Sequence, residues 1–199
     1  THKEYNAAPG TDLSEIIRSA EPGGIIVLAE GTYPIQSAMF IDKSLTIRAA
    51  NAANKPLVRF NGEKPDNMVT IADGGELIIE NIAFDGVLEP GKALVKAGIS
   101  TATDMIQPYT LTVDGCEFQN FGEGGFFAIK GTKATFAKSV TIKNCFFRDL
   151  SGDAINYAAE KDDIGRYNAD DMLIENCSFY RLLGLPINIY RGGSDESTA

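Results

Sequence analysis

A short strand ending in Asn, followed by Cys and by Phe two positions later, returns along this chain too often for a single folded-back globule. SVTIKNCFFRDLSGDAINY (139–157) is one full copy, closed by a Gly-containing turn and a second short strand. Related copies are ELIIENIAFDGV (76–87), TLTVDGCEFQNF (110–121) and DMLIENCSFYRL (171–182). Aligned on the turn residue they fall at Asn81, Gly115, Asn144 and Asn176, at intervals of 34, 29 and 32 residues. A weaker copy, SLTIRAANAAN (44–54), places Ala49 in the same slot. A repeat of this period built from strands stacks rung on rung, because no single repeat can bury its own apolar face.

The text between the copies has the same character. LTIRA, LVRFNG, MVTIAD, ALVKAGI, FFAIKG, AINYA and INIYR are each short, rich in β-branched or aromatic residues, and bounded by Gly, Asn, Asp or Pro. No helical pattern long enough for a crossover separates them, which excludes a doubly wound sheet. Three strands per repeat predicts an all-β, single-stranded right-handed parallel β-helix of about five to six coils. Residues 1–10 read as a loose lead-in. TDLSEIIRSAEPGG (11–24) reads as a capping helix, with Asp12 at its N-cap, Glu15 three residues on, and Leu13, Ile16, Ile17 and Ala20 on one face. Residues 25–199 form the β-helix. The last strand, INIYR, has no capping helix after it, so either the natural chain continues, which is the favoured expectation, or another molecule covers the end.

The repeated slots carry structure. Phe84, Phe118, Phe147 and Phe179 are expected to stack as an inward aromatic column. Asn81, Asn144 and Asn176 are expected at left-handed bends with their amides linking rungs, and Gly115 reaches the same conformation. Cys116, Cys145 and Cys177 share one slot. Their spacing matches no zinc motif, so they read as a ladder of buried reduced thiols, with a disulfide between two rungs as the alternative.

A net charge of −9 excludes nucleic acid as a general partner, and any polyanion would need a local basic patch. Residues 125–148 carry Lys130, Lys133, Lys138, Lys143 and Arg148 with no acid before Asp149, read either as such a patch or as solvated turn lysines. No run of apolar residues is long enough to span a membrane. Two long connections, 131–139 and 158–171, are expected to gather on one side. The second is dense in charge, from Glu160 and Lys161 through Arg166 to Asp171, and reads first as a self-paired solvated loop.

TDLSEIIRSAEPGGIIVLAEGTY followed by SLTIRAAN resembles the first coil of pectin-lyase-like β-helix proteins. KGTKATFAKSVTIKNCFFRDLSG, AEKDDIGRYNADDMLIENCSF and IYRGGSDEST resemble polysaccharide lyase family 6, which holds alginate lyases and chondroitinase B. The likeness is closer to the second, non-catalytic β-helix domain that some members carry. It implies an exported protein (secreted, periplasmic or at the cell surface), an acidic polysaccharide such as alginate as partner, and a neighbouring catalytic domain. The residues themselves indicate no cofactor; calcium is the one the resemblance points to, with no ligands identified in this sequence. The family uses a Lys and an Arg on adjacent coils with acidic calcium ligands before the Lys. Glu160-Lys161 followed by Arg181 has that order without the ligand pattern, so no catalytic residue is carried over.

Strand alternation nominates a substrate-binding face. With Val95, Phe127, Ile155 and Ile187 inward, Lys96, Ala128, Asn156 and Asn188 face outward on stacked rungs, and Lys130 and Tyr190 follow one step along. Lys96, Lys130, Asn156, Asn188, Tyr190 and Arg191 then form a row of hydrogen-bond donors with one aromatic platform. Three functions compete: an accessory carbohydrate-binding domain; an active lyase with Lys130 or Lys161 as base and Arg166 or Arg191 neutralising the carboxylate; and a structural or surface-interaction solenoid.

Overall fold

Alternating apolar and polar residues, broken every few positions by Gly, Asn or Asp, lay this chain down as strands of three to seven residues. The computed structural model describes residues 1–122, 126–159 and 168–190. The chain starts with β1 (Glu4–Ala7) and a single helix, α1 (Leu13–Ser19). Triplets of strands follow: β2 (Gly24–Leu28), β3 (Thr32–Ile35) and β4 (Met39–Ile41); then β5 (Ser44–Ala49), β6 (Leu57–Phe60) and β7 (Val69–Ile71). The middle coils are β8 (Glu76–Glu80), β9 (Ala83–Asp85) and β10 (Ala97–Thr101), then β11 (Tyr109–Asp114), β12 (Glu117–Phe121) and β13 (Phe127–Lys130). The last are β14 (Ala137–Lys143), β15 (Phe146–Leu150) and β16 (Ile155–Tyr157), then β17 (Ala169–Glu175), β18 (Ser178–Leu182) and β19 (Ile187–Ile189).

The first, second and third strands of successive triplets pair with one another, giving three parallel sheets and a solenoid of about five turns. Sheet one runs β1-β2-β5-β8-β11-β14-β17, sheet two β3-β6-β9-β12-β15-β18, and sheet three β4-β7-β10-β13-β16-β19. The predicted parallel β-helix with its short helix is what forms.

Register turns the repeat into columns. On sheet one, Leu45, Leu77, Leu111, Val140 and Met172 stack inward, as do Ile47, Ile79, Val113, Ile142 and Ile174. On sheet two the inward column is Tyr33, Val58, Phe84, Phe118, Phe147 and Phe179. The four phenylalanine rings are stacked, with centroids 5.0, 5.1 and 5.2 Å apart and planes within 13° of parallel. This spacing is the strand separation itself, so the ring column and the backbone ladder reinforce each other.

Asn81, Gly115, Asn144 and Asn176 all have positive φ, between 52° and 67°. Asn176 Nδ2 donates to Asn144 Oδ1 at 2.7 Å, and Asn144 Nδ2 donates to Asp114 Oδ1 at 2.9 Å. A second left-handed column, which the repeat reading passed over, is formed by Asn120, Asp149 and Arg181 near the ends of β12, β15 and β18. The three cysteines are free thiols. Cys116 donates to Ile79 O, Cys145 to Val113 O and Cys177 to Ile142 O, each at 3.7 Å.

α1 lies against β4 and β1. Glu15 N donates to Asp12 Oδ1 at 3.2 Å, the expected cap, while Leu13, Ile17 and Ala20 are buried. The lead-in differs from expectation. Glu4–Ala7 adds in parallel to β2, with Tyr5 opposite Ile26, because GIIVL offers an open strand edge and Ala7 can turn into the core. The basic stretch also disperses. Lys138 and Lys143 lie on sheet one, Arg148 on sheet two and Lys130 on sheet three, so they make no common patch. Lys143 pairs with Asp114 and Arg148 with Asp149.

Candidate functional site

The outward face of sheet three is where the candidate residues meet. Phe40 is opposite Thr70, Thr70 opposite Ser100, Lys130 opposite Asn156, and Asn156 opposite Asn188. Ile99 pairs with Ile129, which puts Ser100 beside Lys130 and completes one column along the solenoid. Lys130 therefore stacks directly with Asn156 and Asn188, not one step beyond them. The expected register is off by two residues at β13: Ile129, not Phe127, is opposite Ile155, and Ala128 and Ile129 are both buried. Ala128, expected outward, is in the core, whereas Phe127, expected inward, is only half-buried with its ring centroid 4.4 Å from Lys130 Nζ.

Asp153, in the turn between β15 and β16, is the centre of the site and was not among the expected residues. Its Oδ2 accepts from Asn156 Nδ2 at 2.7 Å and from Asn188 Nδ2 at 3.0 Å, while Oδ1 accepts from Leu185 N at 2.9 Å. Partial burial works against ionisation. The Leu185 N–H, the amides of Asn188 and Asn156, and the Lys130 charge outweigh it and hold the carboxyl below its usual range. Sequence carries one faint signal for it: Asp153 precedes Asn156 by three residues in a Gly-Asp turn, the kind of place where Asp bonds nearby backbone or amides.

The remaining expected residues separate. Asn156 is 8% exposed with both ends of its amide engaged, Oδ1 accepting from Ala158 N at 3.1 Å, so it shapes the site and offers little to a ligand. Asn188, on the last rung, is more open. Lys96 is exposed but precedes β10 and lies four residues before Ser100, away from the column. Tyr190 is 48% exposed and follows Asn188 by two residues. Its N–H donates to Tyr157 O, and its carbonyl accepts from Asn168 Nδ2. Arg191, Lys161, Arg166 and Glu160 lie outside the described residues.

Among the described residues no arginine shares sheet three with Lys130. Arg48 is on sheet one; Arg59, Arg148 and Arg181 are on sheet two; Arg18 is on α1. Arg181 and Arg148 both pair with Asp149, at 2.6 Å each, and Arg59 pairs with buried Asp85 at 3.0 Å. Asp85 also accepts from Asn120 Nδ2, so sheet two carries its own polar ladder. No group of three His, Cys, Asp or Glu side chains able to hold a metal occurs among the described residues. No helix among them is long and apolar enough to cross a membrane.

No curated protein matches the chain. Among solved structures, the PL6 family alginate lyase AlyGC superposes with a TM-score of 0.87 at 27% identity, and a mutant of the same enzyme at 0.86 and 27%. Each match covers 98% of this chain and 27% of that chain, so the protein spans about a quarter of the length of the lyase it resembles. The chain is a parallel β-helix similar to a PL6 polysaccharide lyase. The family model of DUF4957, a domain of unknown function, matches residues 31–181, and the chain belongs to that family.

Proposed function

We propose that this domain binds an acidic polysaccharide such as alginate along the outward face of sheet three, as a non-catalytic part of an exported polysaccharide lyase. The observation that supports it most directly is the single column of Lys130, Asn156 and Asn188 around Asp153, on a solenoid that resembles an alginate lyase over nearly its whole length. Rungs stack about 4.8 Å apart, comparable to the rise of an extended chain of linked pyranoses, so successive sugars would meet successive rungs. A net charge of −9 does not forbid a polyanion, since acids more than about 8–10 Å away are screened at physiological salt, while Asp153 within the site is engaged by Asn156, Asn188 and the Leu185 N–H and faces the Lys130 charge. Lys130 supplies the cation, Asn188 an amide, and exposed Lys96 a second charge at the strand entrance.

The test is electrophoresis through gels with and without alginate. Retardation by the polymer, weakened by added salt and by Lys130→Ala, supports the reading. Mobility that alginate leaves unchanged rejects it.

A second reading, favoured by the same likeness to an alginate lyase, is an active lyase with Lys130 as base. Its product would be an unsaturated uronate absorbing in the ultraviolet. Flat absorbance with alginate, chondroitin or pectin, with and without added calcium, removes it. The accessory role agrees better with the scattering of the described arginines over sheets one and two.

A further inference from the structure

Phe40 is the residue on the sheet-three column with no evident duty in folding. Its neighbours Met39 and Ile41 fill the core, while its own ring is 51% exposed on the outer face. The next two rungs put Thr70 and Ser100 in that slot, so the fold itself does not call for an aromatic there. The ring borders a cleft of about 320 Å³ between α1 and β4, whose lining includes Ser14, Arg18, Ser37 and Lys43. Lys43 Nζ donates to Arg18 O at 2.9 Å, which uses one of its three N–H groups and leaves two for a ligand. Arg18 pairs with Glu15, so the cleft presents hydroxyls, one anchored ammonium and the Asp42 carboxylate beside an apolar ring, an acceptor for sugar hydroxyls on one side and a cation on the other.

We propose that this cleft is a second sugar subsite, in which a pyranose ring of the bound polysaccharide packs on Phe40 and turns its hydroxyls or carboxylate to Ser37 and Lys43. The proposal rests on the sheet-three binding reading and extends it three rungs, about 14 Å, from Lys130 towards the helix-capped end. The small side chains of Thr70 and Ser100 leave the floor between the two points low. Thr70 accepts from Asn67 Nδ2 and Ser100 donates to Lys130 O, so both are held down by bonds within the protein. The chain would touch the protein firmly at its two ends, at an aromatic ring and at an ammonium, and lightly between them.

Oligouronates prepared from alginate, short enough to cover one end or long enough to span both, separate the possibilities. Phe40→Ala should weaken binding of the long oligomers about tenfold, the worth of one packed ring, and leave the short ones bound at Lys130 unchanged. Phe40→Trp should keep the affinity, and because the chain has no tryptophan its emission reports the subsite directly. Far-ultraviolet circular dichroism should not change in either variant, as the ring lies outside the core. Long oligomers bound by Phe40→Ala as tightly as by wild type, or emission from Phe40→Trp that does not move on saturation, overturns the subsite while Lys130→Ala still weakens binding. Wild-type protein that binds neither length overturns the sheet-three reading and the subsite with it.

Discussion

The side-chain oxygen of Asn81 stands where a Cβ on Gly115 would have to be. The one glycine in the turn column is therefore fixed by its neighbour as well as by its own φ of 67°. Gly115→Ala is expected to cost about 1–3 kcal/mol, combining left-handed strain with displacement of the Asn81 amide. Gly115→Asn restores the residue found on the other rungs yet still meets Asn81, so it too should destabilise. Asn81→Gly in the same chain should recover part of that loss. Denaturant titration of the two single variants and the double variant reads the coupling, and strict additivity would show that the contact does not matter.

The aromatic column should be unequal along its length. Phe147 is fully buried between Phe118 and Phe179, and Phe147→Ala is expected to cost about 3–5 kcal/mol. Phe179, on the last described triplet, is only half-buried and stacks on Phe147 alone among the described rings, so Phe179→Ala should cost clearly less. Thermal and urea unfolding of both variants checks the order; equal losses would mean that the column does not set the stability of each rung.

These columns were legible in the sequence because each slot repeats one residue type, and stacking needs nothing more than identity at a fixed interval. Asn144, Cys145 and Phe147 could each be assigned a place without knowing what surrounds them. The site was less legible. Alternation alone does not fix register: Ile129, two residues beyond Phe127, is the one opposite Ile155, and that shift puts Lys130 on the Asn156 column without changing its face. Asp153 reaches Asn188 across 35 residues, a contact that no local pattern encodes. Phe40 lies on the first triplet, before the Asn-Cys-Phe copies begin, so no repeat pointed to it. The strand at Glu4–Ala7 was missed because four residues of mixed polarity give no periodicity to read.

The cysteine ladder predicts two classes of thiol. Burial pushes Cys116 up to about 12, only partly offset by the backbone N–H groups of Ile82 and Asn81 and by Lys55, and burial likewise raises Cys145. Nucleophilic attack requires thiolate, so at mildly alkaline pH neither should react with an aromatic disulfide reagent in the native protein. Cys177 is half-exposed on the last described rung and should react readily. One equivalent of released chromophore before unfolding and three after it is the expected count. Rapid release of three from native protein would mean that the rungs open.

Asp153 gives the site a defined response to acid. Its folded-state pKa lies below the reference value of 3.8, so the carboxylate contributes stability that is fully present above that value. The contribution is lost as pH falls through the depressed folded-state pKa, where the protonated acid no longer serves as a charged acceptor for Asn156, Asn188 and the Leu185 N–H. Asp153→Asn removes that charge at every pH. The variant should be less stable than wild type at neutral pH, and the difference should hold steady down to about pH 5, more than a unit above the reference value. It should then close as pH drops below 3.8. The Leu185 amide should exchange with solvent faster in the variant at neutral pH, since its acceptor is weakened. A stability gap that stays constant into acid would place the loss in packing and not in the charge. Unchanged Leu185 exchange would show that the turn is held by something other than Asp153.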